Sequence, residues 1–213
     1  MSNIITIVLG GQLGNWALDY IKEAHTLIGA DSGAAFLVQC GFTPDIAIGD
    51  FDSVTSEQFE QISKQSRQMI SCDPIDKDYT DSEMAIRLAL DMKPDEILML
   101  GATGTRLDHS LANIELLVLA EQAGVHASII DANNRITLAS GHTILKRSTY
   151  EHVSLLPLSS DVLGVTLTGF KYPLQQATLS MGQSIGVSNI LLAEEGIIEH
   201  TSGKLLIIES KDD

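Results

Sequence analysis

Short apolar runs, each ended by a glycine or an aspartate, mark out the first half of the chain. Such runs are typical of parallel strands that are buried on both faces of a sheet. The predicted strands cover residues 4–9, 26–30, 46–48 and 97–100. Between them, helical patterns cover residues 15–24, 34–40, 80–92 and 108–123. The alternation of strand and helix predicts an α/β domain with a mainly parallel sheet.

Two local signals fix the ends of these helices. Thr80 and Glu83 have the spacing of a capping box, in which a threonine caps the first turn and a glutamate reaches back to it. Gly124 stands where a C-terminal glycine would end the last helix of this half.

The pattern changes near residue 135. Short alternating runs separated by Gly, Pro, Ser and Asn replace the helical periodicity, which predicts an all-β domain, either a sandwich or a barrel. The predicted strands are 152–157, 164–168, 177–180, 184–188 and 196–199, with a final strand within 202–210. We therefore predict an α/β domain over residues 1–135 and an all-β domain over residues 136–213.

Composition narrows the class of protein. The 213 residues carry 28 acidic and 13 basic side chains, a formal charge of −15, which argues against non-specific nucleic-acid binding. No apolar stretch is long enough to cross a membrane, and the N-terminal apolar run is interpreted as a strand, not a signal peptide. Cys40 and Cys72 have no metal-binding or redox spacing. We expect a cytoplasmic protein.

Acidic residues follow several predicted strands. The carboxyl ends of parallel strands lie along one edge of a sheet, so we expect these side chains to cluster there. Clustered carboxylates repel each other, and a hard cation such as Mg²⁺ relieves that repulsion. The candidate metal ligands are Asp31, Asp50, Asp52, Asp78 and Asp81.

Each acidic motif also has a structural interpretation. Asp52 fits a turn before a helix that begins near Ser56, and Asp31 fits the start of a helix. The Arg-x-Asp pair of Arg106 and Asp108 is more often a surface ion pair than a site. For Asp50 and Asp52 alone the structural interpretation is favoured; the number of acidic motifs shifts the balance.

Phosphate binding has its own candidates. Glycines allow the backbone to approach a ligand, a helix start supplies N–H donors, and an arginine supplies a planar fork. The candidate residues are Gly10, Gly11, Gln12, Gly33, Thr80, Arg106, Asp108 and His109. Neither a Walker-type phosphate loop nor a Rossmann glycine motif is present, so phosphate binding through acid-held metal is expected.

These motifs, in this order, resemble those of the thiamin pyrophosphokinase family. The resemblance rests on DSGAAFL, PDIAIGDFDS, DYTDSEMA, GATGTRLDHSLAN and MGQSIGVSNILL. It covers nearly the whole chain. The chain departs from the family pattern at Ser32 and Ala35, where Gly and Asn are usual, and at Lys77, where Gln is common.

The resemblance implies a fold, a reaction and an assembly. The fold is an α/β catalytic domain followed by a β-sandwich. The reaction moves a pyrophosphoryl group from ATP to the hydroxyl of thiamin and yields thiamin diphosphate and AMP. The assembly is a homodimer with two active sites, each drawing on both subunits.

The resemblance also implies roles for residues. Asp50, Asp52, Asp78 and Asp81 are the catalytic candidates, and with Asp31 they surround Mg²⁺ and the phosphates. Arg106 and Asp108 lie on the nucleotide side, and Ser188 and Asn189 lie near the pyrimidine of thiamin.

Other functions remain open at this point. The acidic set also fits a magnesium-dependent nucleotide phosphohydrolase or a kinase that transfers only the γ-phosphate. A non-catalytic sensor of thiamin or nucleotide is a further alternative, although a mere binder does not need so many carboxylates.

Overall fold

A computed structural model describes residues 2–71 and 79–212 of the chain. Asp78, one of the candidate metal ligands, lies outside the described residues, as do Cys72 and Lys77. The chain divides into two compact units, Met1–Ala132 and Asn133–Asp213. No helix among residues 2–71 and 79–212 is long and apolar enough to span a bilayer.

The first unit is built on a parallel sheet. Its strands are β1 (Ile4–Val8), β2 (Thr26–Ala30), β3 (Ile46–Gly49), β4 (Gln68–Ser71), β5 (Glu96–Leu100) and β6 (His126–Ile130). They pair in parallel in the order β4-β3-β2-β1-β5-β6. The chain adds strands to one side of β1 and then to the other, so the order reverses between β1 and β5. Ligands of α/β sheets bind at such a switch point, beyond the carboxyl ends of the strands.

Six helices accompany this sheet in the described part of the first unit. They are α1 (Ala17–Glu23), α2 (Ser32–Gln39), α3 (Ser56–Gln65), α4 (Asp81–Asp91), α5 (Leu107–Glu115) and α6 (Leu117–Gln122). The strands supply fully buried apolar side chains such as Ile5, Ile7 and Ile97. Helix α2 packs closely on β2, where a Cβ on Gly29 would lie 2.6 Å from the Cα of Ala34. The α/β class predicted for this half is confirmed.

Three predicted features of the first unit differ in the structure. The predicted helix 108–123 is two helices, α5 and α6, separated by Leu116. Thr80 does cap α4 by accepting a hydrogen bond from the Glu83 N–H at 3.2 Å, but the Glu83 carboxylate binds the Arg87 guanidinium at 2.7 Å. A capping box forms instead at the start of α3. Strands β4 and β6 are additions to the prediction.

The second unit consists of antiparallel strands. They are β7 (Asn134–Leu138), β8 (His142–Lys146), β9 (His152–Pro157), β10 (Asp161–Thr168), β11 (Ala177–Ser180), β12 (Glu195–Glu199) and β13 (Leu205–Ser210). One sheet has the order β7-β13-β9 and the other β11-β10-β12-β8. Their inner faces share one apolar core, in which Leu155 and Ile207 of one sheet pack with Val165 and Ile198 of the other. This is the predicted all-β domain, and it is a sandwich.

One strand predicted for the second unit is wrong. Residues 184–188 form turns, and Ser188 has a φ of 58°, which is left-handed and incompatible with a strand. The segment still lies along β9, since the Leu155 N–H donates to the Gly186 carbonyl at 2.8 Å and Val153 pairs with Asn189. Strands β7 and β8 were not predicted.

Candidate active site

A cleft of about 360 Å³ opens beyond the carboxyl ends of β1, β2 and β5, at the point where the strand order reverses. Its walls are the ends of these strands, the start of α4 and one face of α5. The lining includes Leu9, Gly10, Gly11, Asp31, Ser32, Ser53, Asp81, Ser82, Arg106, His109, Ser110 and Asn113, together with residues 101–105. The topology therefore places aspartates of two acidic motifs, Asp31 and Asp81, around a common space with one glycine pair and Arg106.

Three of the predicted metal ligands come together beside this cleft. Carboxylate oxygens of Asp31, Asp50 and Asp52 all lie within 4.8 Å of one another. Asp31 follows β2 and the other two follow β3, so the pairing of these neighbouring parallel strands brings them together. Asp81, at the start of α4, adds its negative field to Asp31. Such a group of oxygen ligands suits a hard divalent cation.

The carboxyl of Asp31 shows the repulsion between the negative charges of the cluster. Burial raises the pKa of its carboxyl, and the negative charges of Asp81, Asp52 and Asp50 raise it further, while a hydrogen bond from the Ser53 hydroxyl opposes them. Its Oδ1 atom is buried and accepts no hydrogen bond from the described residues. Leaving a buried acceptor without a partner is costly. A cation bound at Oδ1 would remove that cost, so the donor set fits Mg²⁺.

Close approach of the backbone accounts for two of the predicted glycines, Gly11 and Gly33. A Cβ on Gly11 would lie 2.2 Å from the carbonyl oxygen of Thr103, and one on Gly33 would lie 2.0 Å from that of Val8. A Cβ on Gly10 would meet the Ser32 hydroxyl at 2.1 Å. Gly10 and Gly11 line the cleft, whereas Gly33 is buried behind it and Gln12 lies outside its lining.

The loop after β5 is pinned by side chains that sequence reasoning did not select. The Gly104 N–H donates to the Ser110 hydroxyl at 3.1 Å, and the Asn113 amide donates to the Ala102 carbonyl at 2.8 Å. The Thr103 hydroxyl donates to Asp131 at 2.9 Å. Ser110 and Asn113 are three residues apart in the motif DHSLAN and share a face of α5. That spacing was the available signal; nothing local marked Asp131.

Arg106 lines the cleft and is paired with Asp108. Both side chains are about two-thirds exposed, and the Arg106 guanidinium lowers the pKa of the Asp108 carboxyl. The surface ion pair considered from the sequence is therefore present. Exposed pairs of this kind contribute little stability, so an incoming phosphate can compete for the guanidinium. His109 also lines the cleft, with its Nε2 atom 3.9 Å from the Asp108 carboxylate.

The entry to α4 is ordered by an aromatic and ionic contact. The Arg87 guanidinium lies 4.7 Å from the ring centroid of Tyr79 and donates to the Glu83 carboxylate. Thr80, predicted to contact phosphate, caps this helix through its hydroxyl. These contacts fix the first turn of α4, from which Asp81 reaches the cleft.

The two predicted thiamin-binding residues lie in the second unit and differ sharply from each other. Ser188 is exposed, and its N–H donates to the Ser154 hydroxyl at 3.0 Å. Asn189 is only 5% exposed. Its amide oxygen accepts from the N–H groups of Tyr172 and Ile190, and its amide nitrogen donates to the Tyr172 carbonyl.

Comparison with known proteins gives consistent findings across both units. Residues 17–129 match the family model described as thiamin pyrophosphokinase, catalytic domain, and residues 141–205 match that described as thiamin pyrophosphokinase, vitamin B1 binding domain. A thiamine pyrophosphokinase of Bacillus subtilis (strain 168) is 36% identical over 193 residues, which is 89% of this chain and 90% of that protein.

Solved structures give the same result. The crystal structure of thiamine pyrophosphokinase from Bacillus subtilis superposes with a TM-score of 0.91 at 34% identity, covering 99% of this chain and 100% of that one. That of thiamin pyrophosphokinase from Geobacillus thermodenitrificans gives a TM-score of 0.88 at 35% identity, covering 99% and 98%.

Proposed function

We propose, from the premise that the chain belongs to the thiamin pyrophosphokinase family, that its acidic cleft is where a pyrophosphoryl group passes from ATP to thiamin. The enzyme is an ATP-dependent transferase of thiamin diphosphate synthesis. The observation that carries the location is the convergence of Asp31, Asp50 and Asp52 beside the loop that holds Arg106.

Mg²⁺ is the proposed metal of this site. Asp31, Asp50 and Asp52 would hold it, with Asp81 near by, and the buried Oδ1 of Asp31 supports this assignment. Asp78 stays a predicted ligand. The cation would neutralise charge on the phosphate oxygens when bound.

The remaining chemistry falls to the residues of the chain. The hydroxyl oxygen of thiamin forms a bond to the β-phosphorus of ATP, the bond from that phosphorus to the α–β bridging oxygen breaks, and AMP leaves with that oxygen. The hydroxyl proton passes to a carboxylate. The candidates are Asp81, which lines the cleft, and Asp78, which lies outside the described residues. Arg106 binds phosphate oxygens as charge develops on them, and positioning with electrostatic stabilisation supplies most of the acceleration.

The two parts of the chain divide the substrates in this proposal. Residues 1–135 form the catalytic domain that binds ATP through Gly10, Gly11 and Arg106, and residues 136–213 form the thiamin-binding domain with the segment of Ser188 and Asn189. A homodimer whose active sites draw on both subunits, and a cytoplasmic location, belong to the same proposal and stay predictions.

A single assay tests the proposal. The protein is incubated with ATP, Mg²⁺ and thiamin, and the products are separated. Formation of AMP and thiamin diphosphate in equal amounts is expected. Thiamin monophosphate with ADP would identify a γ-phosphate kinase, and nucleotide hydrolysis independent of thiamin would identify a phosphohydrolase. Binding of thiamin without any turnover would identify a sensor.

A further inference from the structure

The side chain of Asn189 is hydrogen-bonded to the backbone of its own domain. Its Oδ1 atom accepts from the Tyr172 N–H at 3.0 Å and from the Ile190 N–H at 2.9 Å, which uses both acceptor positions of an amide oxygen. Its Nδ2 atom donates to the Tyr172 carbonyl at 2.7 Å. With only 5% of its surface exposed, the residue offers a ligand almost nothing.

These bonds join three segments of the chain. The backbone of Asn189 exchanges hydrogen bonds with Val153 of β9, at 2.8 and 2.9 Å. The side chain ties in Tyr172, and the adjacent Lys171 N–H donates to the Ile190 carbonyl at 2.9 Å. Asn189 is thus the point at which β9 and the segments 170–172 and 186–191 meet.

Ser188 owes its position to this junction. Its φ of 58° is a backbone conformation that residues other than glycine adopt at a cost in free energy, so neighbouring contacts must hold Ser188 there. On one side the Ser154 hydroxyl accepts its N–H, and on the other Asn189 anchors the next residue. The result is an exposed serine hydroxyl on a fixed backbone.

We propose that Asn189 is a positioning residue, which holds the backbone that presents Ser188 and does not itself bind thiamin. The inference rests on the proposed function, since it takes from there that this segment faces the vitamin. It replaces the expectation that Asn189 contacts the pyrimidine of thiamin, because both acceptor positions of its amide oxygen and one of its two N–H donors are used within the domain, and the residue is only 5% exposed.

The variants separate positioning from direct contact. Asn189→Asp keeps the acceptor for Tyr172 and Ile190 but turns an oxygen, in place of a donor, toward the Tyr172 carbonyl. Ser154→Ala disturbs Ser188 from the opposite side without changing Asn189, and it covers the case in which Asn189→Asp fails to fold. Ser180→Ala is the matched control, because it removes a hydroxyl that bonds Asp161 elsewhere in the same domain.

The measurements are the Kd of thiamin by calorimetry, the KM values for thiamin and ATP, and kcat. We expect Asn189→Asp and Ser154→Ala each to weaken thiamin binding about five- to tenfold, the scale of one lost hydrogen bond. The KM for ATP should stay within about twofold of wild type, and Ser180→Ala should change neither Kd nor KM. An unchanged thiamin Kd in both variants would overturn the inference.

A double-mutant cycle with Ser188→Ala gives the decisive result. If Asn189 acts through Ser188, Asn189→Asp and Ser154→Ala add little to the loss already caused by Ser188→Ala. Additive losses for Asn189→Asp would show a direct contact and overturn the inference, as would a Ser188→Ala variant with unchanged thiamin binding. Wild-type protein that binds thiamin but forms no AMP would overturn only the proposed function, since the cycle is read from Kd. Wild-type protein that binds no thiamin would overturn both.

Discussion

The acidic cluster of the first unit and the Asn189 junction of the second treat buried polar atoms in opposite ways. In the cluster, the buried Oδ1 atom of Asp31 has no hydrogen-bond partner among the described residues, and burial together with the neighbouring carboxylates raises the pKa of this residue. At the junction, both ends of the Asn189 side chain have backbone partners. Unsatisfied buried groups are expensive unless a ligand completes them. The contrast distinguishes a carboxylate cluster, which we propose binds a cation, from an amide side chain whose hydrogen bonds are formed within the protein.

The largest expected effect comes from removing charge in the cluster. Asp50→Asn or Asp52→Asn should lower kcat by about 100-fold or more, because transition-state charge loses a few kcal/mol of stabilisation. Thermal stability without Mg²⁺ should hold or rise, since repulsion is relieved. Steady-state kinetics at saturating Mg²⁺ and thermal melts check both. Asp19→Asn, an exposed acid on α1, is the control. Near-normal turnover in both cluster variants would remove these residues from the metal site.

A smaller effect is expected at the rim of the cleft. Arg106→Lys keeps the positive charge but loses the planar fork that binds two phosphate oxygens, so the KM for ATP should rise about tenfold while thiamin binding hardly changes. Initial rates with each substrate varied in turn provide the measurement. If the kinetic constants for ATP do not move, Arg106 serves only its ion pair with Asp108.

Adding Mg²⁺ tests the same comparison through thermal stability and needs no measurement of turnover. Mg²⁺ that binds only the folded protein stabilises it, by about 2.7 kcal/mol at 100 times the Kd. We expect the melting temperature of wild type to rise with Mg²⁺ and fall back on chelation, whereas Asp31→Asn should respond much less. Asn189→Asp, in the other unit, should keep the wild-type response. An equal response of wild type and Asp31→Asn would separate Asp31 from the metal.

The smallest effect concerns a buried acid outside the cluster. Burial raises the pKa of Glu209 above its usual 4.5, while a hydrogen bond from Ser148 and the charge of Arg135 oppose the rise. A carboxyl with a raised folded-state pKa favours folding below its unfolded pKa, and this contribution is lost as pH rises through the folded value. Glu209→Gln should therefore flatten the decline in unfolding free energy from pH 4.5 upward. Denaturant titrations at several pH values measure it, and an unchanged slope would contradict the assignment.

The sequence predicted the clustering of the acidic residues in the first unit better than the surroundings of Ser188 and Asn189 in the second. Strand ends and acidic residues coincide in the chain, so the pattern already indicated that Asp31, Asp50 and Asp52 lie on one edge of the sheet. Ser188 and Asn189 were selected only through resemblance. Their burial, which separates one from the other, depends on Tyr172 and Val153, residues that are distant in the sequence.

Local signals failed where other partners competed for the same groups. The apolar residues in 184–188 suggested a strand, but the left-handed Ser188 and the contacts with β9 hold the segment in turns. The Glu83 carboxylate had the spacing to complete a capping box, but it binds Arg87 on its own helix. In both places the sequence pattern does not identify the contact that decides the local structure.

The sequence by itself determined the class of each unit, the strand ends and the chemistry of the acidic motifs, because hydrophobic periodicity and side-chain type are local properties. Only the tertiary structure decided that carboxylate oxygens of three aspartates lie within 4.8 Å of one another and that Ser110 and Asn113 hold the loop after β5. It also decided that the Asn189 side chain is hydrogen-bonded to the backbone of Tyr172. The physical reason is that hydrogen-bond partners and burial depend on strand order and on close packing between segments far apart in the chain.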